Sequence, residues 1–133
     1  MKRVCARVVL IEGEFIYLMY RRKFLNGKWV IFYTYPGGGQ EKNESLEQTA
    51  IREVREEFCV DIKLDGFLKR VEREENITYY YKGILLSGKP TLGGEEALRS
   101  CKTNYYEVQK IPLNEVKNID LYSKELIELA KKC

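Results

Sequence analysis

The stretch PGGGQEKNESLEQTAIREVREEFCV, residues 36–60, decides the fold and the chemistry that this sequence predicts. It opens with a proline and three glycines, which end an extended segment. A helix is predicted from Leu46 to Phe58, because Ser45 and Gln48 form a capping-box pattern directly before an apolar stripe of period four. The stripe consists of Leu46, Ala50, Val54 and Phe58.

Three glutamates on this helix, Glu53, Glu56 and Glu57, are spaced so that they share one face. Like charges at this spacing repel by roughly 0.2–0.5 kcal/mol per pair, so a helix built only for stability would interleave lysines. Hard divalent cations such as Mg²⁺ take carboxylate oxygens together with water and substrate phosphates. The pattern therefore indicates a cation site, although a solvated acidic helix face would carry the same charges.

The spacing of the whole stretch resembles a known motif. Gly38 is followed after five residues by Glu44, and seven residues later by Arg52 and Glu53. The stretch is similar to the Nudix box, G-x5-E-x7-R-E-U-x-E-E-x-G-U with U an aliphatic residue, and eight of the nine specified positions match. The departure is Cys59, where the box has glycine as a left-handed helix cap, a conformation that costs other residues roughly 1–2 kcal/mol.

The resemblance implies an α+β protein with the Nudix fold, in which a mixed β-sheet is sandwiched between α-helices, as a single domain over residues 1–133. It implies a pyrophosphohydrolase that depends on Mg²⁺ or Mn²⁺ and cleaves a diphosphate bond, converting a nucleoside diphosphate linked to a group X into a nucleoside monophosphate and phosphorylated X. The alternative is a catalytically silent Nudix domain that only binds nucleotides.

The resemblance also assigns roles to residues. Metal ligands are expected among the box carboxylates and a nearby main-chain carbonyl, namely Glu53, Glu56, Glu57 and Gly38. Arg52 is expected to pair with Glu56 and orient it, and Glu44 is expected to hold the loop or to act behind the metal ligands. The general base is expected to be Glu53 or a glutamate after the box, for which Glu96 is the candidate, with a solvated loop charge as the alternative reading of Glu96.

Candidates for substrate contact lie on both sides of the box. Arg21 and Arg22 follow the second strand and are expected near substrate phosphates, unless they are plain surface charges. The backbone at Gly37 and Gly39 can approach a substrate closely. Tyr79 is a candidate for stacking on a nucleobase, with packing in the sheet as the alternative. Trp29 is predicted to lie in the core, with stacking on a nucleobase as its alternative.

The remaining segments predict a hairpin-rich sheet and a second helix. A polar, glycine-containing loop is predicted from Ser87 to Asn104, and the second helix from Ser123 to Lys132. Strands are predicted at Val4–Leu10, Phe15–Tyr20, Trp29–Tyr35, Ile62–Val71, Ile77–Leu86 and Tyr105–Ile111.

The composition limits the chemistry. The 133 residues include no histidine, which excludes Ser-His and Cys-His catalysis and leaves acid–base work to Glu, Asp, Lys, Tyr or Cys. Residues 38–60 carry six acidic and three basic side chains, a charge of −3, while the whole chain carries +3, so the remainder carries +6. An acidic patch within a basic protein fits a cation site that meets an anionic ligand.

The same data give expectations for partners and location. The four cysteines lack the spacing of zinc ligands, and no apolar run approaches the roughly 20 residues of a membrane span. The N-terminus lacks the layout of a signal peptide, so a cytoplasmic location is expected. The basic residues are dispersed, which argues against nucleic acid as a partner. The expected partner is a small-molecule nucleotide, bound by a monomer or a homodimer.

Overall fold

The computed structural model of the protein describes residues 1–132. The strands in that range are β1 (Arg3–Glu12), β2 (Phe15–Leu25), β3 (Lys28–Thr34), β4 (Gly37–Gly39), β5 (Asp61–Glu72), β6 (Asn76–Ser87) and β7 (Asn104–Pro112). The helices are α1 (Leu46–Phe58), α2 (Gly94–Arg99) and α3 (Glu125–Lys132), with a 3₁₀ turn at Leu113–Asn118. None of these helices is long and apolar enough to cross a membrane.

The sheet is mixed and has β1 near its centre. The strand order is β3-β2-β1-β6-β5, with β4 paired to β1 and β7 paired to β2. The β1–β6 pair is parallel, and β1 runs antiparallel to β2 and to β4. Ala6 of β1 lies opposite Gly38, so the glycine segment that the sequence predicts as a strand terminator is itself a short strand in the sheet.

Two cores lie on opposite faces of the sheet, as the alternation of side chains along a strand requires. Val8 packs with α1 residues on one face, and its neighbour Val9 packs with α3 residues on the other. Both valines are fully buried. The predicted α+β architecture, a mixed sheet sandwiched between helices, is confirmed.

Helix α1 has the predicted bounds and the predicted cap. The Ser45 hydroxyl accepts a hydrogen bond from the Gln48 amide at 3.0 Å, and the Gln48 side chain accepts one from the Ser45 amide at 2.8 Å. The stripe residues Ala50, Val54 and Phe58 are fully buried against the sheet. With the apolar face inward, the glutamate face of α1 is left to point towards β4.

Cys59 ends α1 in the left-handed conformation, with φ 57° and ψ 35°, and its amide donates to the Arg55 carbonyl at 3.0 Å. The cysteine therefore adopts the geometry that glycine has in the box, in spite of the cost to its Cβ. We expect Cys59→Gly to raise the free energy of unfolding by about 1 kcal/mol and the melting temperature by a few degrees. Thermal unfolding followed by circular dichroism measures this, with the exposed Cys101→Ser as control. An unchanged or lower melting temperature for Cys59→Gly would contradict it.

The predicted loop from Ser87 to Asn104 is wrong in part, because it contains α2. This helix of six residues is too short and too polar to show a periodic apolar pattern. It is held by docking on the end of α1, where the Gly93 amide donates to the Glu57 carbonyl at 2.8 Å. Gly94 fits tightly there, since a Cβ on it would lie 3.0 Å from the Glu56 carbonyl oxygen.

The prediction that Trp29 lies in the core is also wrong. Trp29 is 50% exposed on the outer part of the β2–β3 hairpin. Its ring packs edge-on against Phe24 with centroids 5.2 Å apart, and Phe24 is itself exposed. An apolar strand pattern cannot distinguish an exposed hairpin end from a strand inside the sheet. The difference depends on which distant segments pack over the hairpin.

Candidate active site

A cavity of about 800 Å³ lies where β4, the acidic face of α1, α2 and the β2–β7 pair meet. Among the described residues, its acidic lining consists of Glu41, Glu53, Glu56, Glu57 and Glu96. Its basic lining consists of Arg3, Arg7, Arg21, Arg52 and Arg99. Such a surface can hold cations and phosphate groups together, since each sign has its own partners.

The glycines of β4 let α1 come close to the sheet. A Cβ on Gly37 would collide with the carbonyl oxygen of Ala6, and Gly37 has a φ of 149°, which other residues rarely adopt. A Cβ on Gly38 would lie 2.6 Å from the Glu53 carboxyl carbon. The backbone of Gly38 is therefore in contact with a box carboxylate, the position that the resemblance assigns to a main-chain metal ligand.

Arg52 is the centre of the hydrogen-bond network in the cavity. Its Nε donates to Glu44 Oε2 at 2.6 Å, and its Nη2 donates to Glu44 Oε1 at 3.0 Å and to the Gly39 carbonyl at 3.0 Å. Its Nη1 contacts Glu53 at 3.1 Å and Glu56 at 3.2 Å. The expected contact with Glu56 is present, but the bidentate partner of Arg52 is Glu44.

Glu44 fastens the loop between β4 and α1. Besides Arg52, it accepts hydrogen bonds from the Glu41 amide at 3.1 Å and from the Thr49 hydroxyl at 2.7 Å. The hydrogen bonds from Arg52 are the main reason that the pKa of Glu44 falls to about 2. Glu44 is thus a charged structural anchor, which matches the expectation that it holds the loop.

Glu57 is buried, with 6% of its surface exposed, and its contact in the cavity wall is the Gly37 amide, 3.3 Å from Oε2. Burial raises the pKa of Glu57 to about 8, Glu96 and Glu53 add to the rise, and Arg7 opposes it. Burial also raises the pKa of Glu53, against the effect of Arg52. These carboxyl groups are held where negative charge is unfavourable unless a cation is present.

Glu57 should make the stability of the metal-free protein depend on pH. Its pKa rises on folding from 4.5 to about 8, so the folded state binds the proton more tightly and stability is lost as the pH rises between these values. We expect a loss of about 1.4 kcal/mol per pH unit from this group. Urea unfolding in EDTA from pH 5 to 9 measures it. Glu57→Gln should remove this slope, and equal slopes in the two proteins would contradict the assignment.

Glu96 and Arg21 enter the cavity from outside the box. Glu96 stands on α2, lines the same cavity as Glu57 and raises the pKa of Glu57 through charge repulsion. The Arg21 guanidinium lies 3.7 Å above the Tyr106 ring and donates to Asn104 Oδ1 at 2.6 Å. The Arg21 Nε is buried and has no hydrogen-bond partner in the described structure, so a ligand oxygen would satisfy it.

The structure brings nine of the eleven predicted site residues to the cavity: Gly37, Gly38, Gly39, Arg21, Arg52, Glu53, Glu56, Glu57 and Glu96. Arg22 and Tyr79 lie elsewhere. Arg22 points to the opposite face of β2, over the Trp29 and Tyr105 rings. Tyr79 packs beside Phe67, and its hydroxyl accepts a hydrogen bond from Arg70 at 3.3 Å.

Two arginines of the cavity, Arg3 and Arg7, escape the sequence analysis. Both lie on β1 beside the glycine strand, where a Cβ on Gly39 would meet the Arg3 guanidinium and one on Gly37 would meet Arg7. The alternation of Arg3, Cys5 and Arg7 places them on one face, but only the β1–β4 register shows which residues that face meets. No motif in the sequence marks them.

The donor atoms around Gly38 suit a hard divalent cation, because they are carboxylate and carbonyl oxygens without a histidine or a thiolate. In the described residues no three acidic, cysteine or histidine side chains are close enough together to enclose an ion as they stand. Glu53 and Glu56 are engaged by Arg52 instead. A cation would be held by Glu53, Glu56 and Glu57 after these side chains turn from their present partners.

A family profile described as NUDIX domain matches residues 1–128. The chain belongs to the Nudix family. The match extends far beyond the box and covers the β1–β4 pair, α2 and β7, which form the other walls of the cavity. None of the curated proteins matches this Nudix chain.

Solved structures agree on the fold. A MutT NUDIX hydrolase from Burkholderia pseudomallei is 18% identical, with a TM-score of 0.74 and coverage of 97% of this chain and 96% of the other. A NUDIX hydrolase from Nitrosomonas europaea is 14% identical, with a TM-score of 0.72 and coverage of 98% and 87%. An ADP-ribose pyrophosphatase from Streptococcus suis is 16% identical, with a TM-score of 0.66 and coverage of 99% and 91%. At these identities the likeness supports the Nudix fold alone.

Proposed function

We propose that this Nudix protein is a hydrolase that depends on Mg²⁺ or Mn²⁺ and cleaves the diphosphate linkage of a nucleoside diphosphate joined to a further group. The observation that carries the proposal is the meeting of Glu53, Glu57 and Glu96 with the Gly38 backbone and Arg21 in one cavity. The carboxylates suit divalent cations, and the arginine suits the phosphates that such cations accompany.

In the proposed reaction, water forms a bond to one phosphorus and the bond from that phosphorus to the bridging oxygen breaks. The products are a nucleoside monophosphate and the phosphorylated remainder, or pyrophosphate when the substrate is a triphosphate. A bound divalent cation would neutralise phosphate oxygens and help to ionise the water. Glu53 or Glu96 takes the proton of the water, since both carboxylates face the cavity.

The protein side chains would hold the reactants in place. Before a cation binds, Arg52 holds Glu53 and Glu56 beside the cavity through its two contacts, and its bond to the Gly39 carbonyl ties them to β4. Arg21 is pre-oriented by the Tyr106 ring and Asn104, so its guanidinium loses little freedom on binding a phosphate. Orientation of this kind can supply much of the rate enhancement in phosphoryl transfer.

The test is a panel of nucleoside triphosphates, dinucleoside polyphosphates and nucleoside diphosphate sugars, incubated with the protein in Mg²⁺, Mn²⁺ or EDTA. We expect release of a nucleoside monophosphate from at least one of them with either metal and none in EDTA. Binding of a panel compound in the presence of Mg²⁺, without hydrolysis of any, would favour the alternative of a catalytically silent nucleotide-binding domain. Metal-independent hydrolysis would contradict the proposal.

A further inference from the structure

A smaller cavity of about 160 Å³ adjoins the main one, because Arg3, Arg7 and Thr34 line both. We call it the basic annex, defined by Arg3, Arg7, Arg73, Thr78, Tyr80 and Tyr122. It lies beyond β4, on the side of the sheet that α3 covers. Its volume is below the roughly 300 Å³ at which pockets for whole drug-sized ligands begin, so it can take one group of a larger ligand.

The lining of the annex carries positive charge and contains no carboxylate among the described residues. In the described part of the chain, its walls include three arginines and no carboxylate, and none of the three arginines forms an ion pair. Arg7 donates to the Tyr35 carbonyl at 2.6 Å, and the Arg73 guanidinium lies 4.2 Å above the Tyr122 ring. Arg3 and Arg7 also line the main cavity, where Arg7 opposes the rise in the pKa of Glu57, so Arg73 is the arginine that lines the annex alone.

All three arginines line the same cavity. Arg3 and Arg7 lie two pleats apart on the same face of β1. Burial raises the pKa of the Tyr80 hydroxyl, and both Arg7 and Arg73 oppose that rise, so these two side chains act on the same phenol from β1 and from the β5–β6 turn. Neighbouring cations in a partly enclosed space repel unless an anion lies between them.

The chemistry of the walls selects the kind of anion. Guanidinium groups bind phosphate oxygens through paired N–H donors, and several of them can surround one phosphoryl group. The side chains of Asn76 and Thr78, which hydrogen-bond each other at 3.3 Å, stand on the same wall as further polar groups. No part of the described lining offers an acceptor carboxylate to a cation.

We propose that the basic annex binds a phosphoryl group in addition to the diphosphate in the main cavity. This rests on the proposed function where the group belongs to the substrate, which is then a diphosphate compound with one more phosphate. Arg3 and Arg7, which line both cavities, connect the two groups. A free phosphate ion has the same chemistry and is the second source to test.

The first experiment measures the binding of inorganic phosphate by calorimetry in EDTA, so that neither metal nor catalysis is required. We expect Arg73→Gln, at a residue that lines only the annex, to weaken binding about tenfold or more, since one charge-assisted contact is lost. The matched control is Arg70→Gln, at an exposed arginine of the same strand region that contacts Tyr79 and Glu72, and it should stay within twofold.

Three results would overturn the proposal: no phosphate binding by the unaltered protein, equal binding by Arg73→Gln, or loss of binding in Arg21→Gln alone. The last would place the phosphate in the main cavity, which Arg21 lines and Arg73 does not. Arg73 is exposed at the mouth of the annex, so its replacement should not unfold the protein. A protein without hydrolase activity would give the same binding results, which keeps this test separate from that of the proposed function.

The second experiment asks whether the phosphoryl group in the annex belongs to the substrate or is a free phosphate ion. It measures displacement of bound phosphate by NAD⁺ and by NADP⁺, two diphosphates that differ by one phosphate group. Displacement by NADP⁺ at a concentration at least about fivefold below that of NAD⁺ supports a phosphate carried by the substrate. Displacement by neither, with the Arg73→Gln effect intact, supports a free phosphate ion in the annex. Equal displacement by the two would place the phosphate where the shared diphosphate binds and would overturn the proposal. Displacement by adenosine, which carries no phosphate, would instead assign the annex to a nucleobase and overturn the proposal.

Discussion

Glu57→Gln is expected to lower turnover by about 10³-fold or more while leaving the protein folded, since Gln keeps the shape but removes the charge that a divalent cation requires. Glu57 Oε2 accepts a hydrogen bond from the Gly37 amide at 3.3 Å, and Glu57 lines the same cavity as Glu53 and Glu96. Burial opposes ionisation of Glu57, and the Gly37 amide and Arg7 offset this only in part, so a bound cation would stabilise its charged form further. Glu56→Gln, on the same helix face, is expected to remove most activity as well.

Steady-state kinetics on the substrate that the panel identifies measure this effect. The matched control is Glu47→Gln, at an exposed residue in the first turn of the same helix, which should keep turnover within twofold. Thermal unfolding in EDTA at pH 8 or above should show Glu57→Gln to be at least as stable as the unaltered protein, because a buried carboxylate is removed. Undiminished turnover would refute the assignment of Glu57 as a metal ligand.

Arg52→Gln is expected to have the largest effect on stability, about 2–4 kcal/mol, because it leaves Glu44 and Glu53 partly buried without their cation. The side chain of Arg52 is 23% exposed and that of Glu44 is 13% exposed, so the loss is smaller than for a fully buried pair. The melting temperature should fall by about 10 °C. Arg52→Lys should not restore it, since one ammonium cannot bridge Glu44 and the Gly39 carbonyl.

Thermal and urea unfolding measure this loss, with Arg55→Gln as the control. Arg55 is one turn further along α1, its side chain is 62% exposed, and it pairs with Asp61 at the surface, so its replacement should cost less than 1 kcal/mol. Arg52→Gln should also reduce turnover, because Glu53 and Glu56 lose their common tether. If Arg52→Gln and Arg55→Gln unfold at the same temperature, Arg52 is not the structural centre of the site.

The bounds of α1 and its cap could be read from the sequence because they depend on local contacts. Ser45 and Gln48 are three residues apart, and the apolar stripe repeats within one helix, so no distant part of the chain is needed. The same holds for the shared face of Glu53, Glu56 and Glu57. The departure from the box at Cys59 is also a matter of local backbone conformation, since this cysteine adopts the left-handed cap conformation that glycine has in the box.

Other features depend on contacts between segments far apart in the chain. Helix α2 begins where the Gly93 amide donates to the Glu57 carbonyl at the end of α1. Its six residues carry no periodic apolar pattern from which a helix could be predicted. Trp29 is exposed because no helix within residues 1–132 packs on the outer β2–β3 hairpin, although its strand pattern resembles that of a core strand. Arg22 turns away from the cavity because alternation gives Arg21 the inward face.

The sequence by itself determined the family and the glutamate face, because these follow from spacing in and just before one helix. Only the tertiary structure decided that Glu44 is the bidentate partner of Arg52 and that Arg3 and Arg7 join the site. The Glu44–Arg52 pair depends on how the loop before α1 folds back onto the helix. The place of Arg3 and Arg7 depends on the register between β1 and β4, which joins distant parts of the chain such as Arg7 and Gly37. Spacing along the chain specifies what one helix presents, whereas the sheet register specifies what that helix meets.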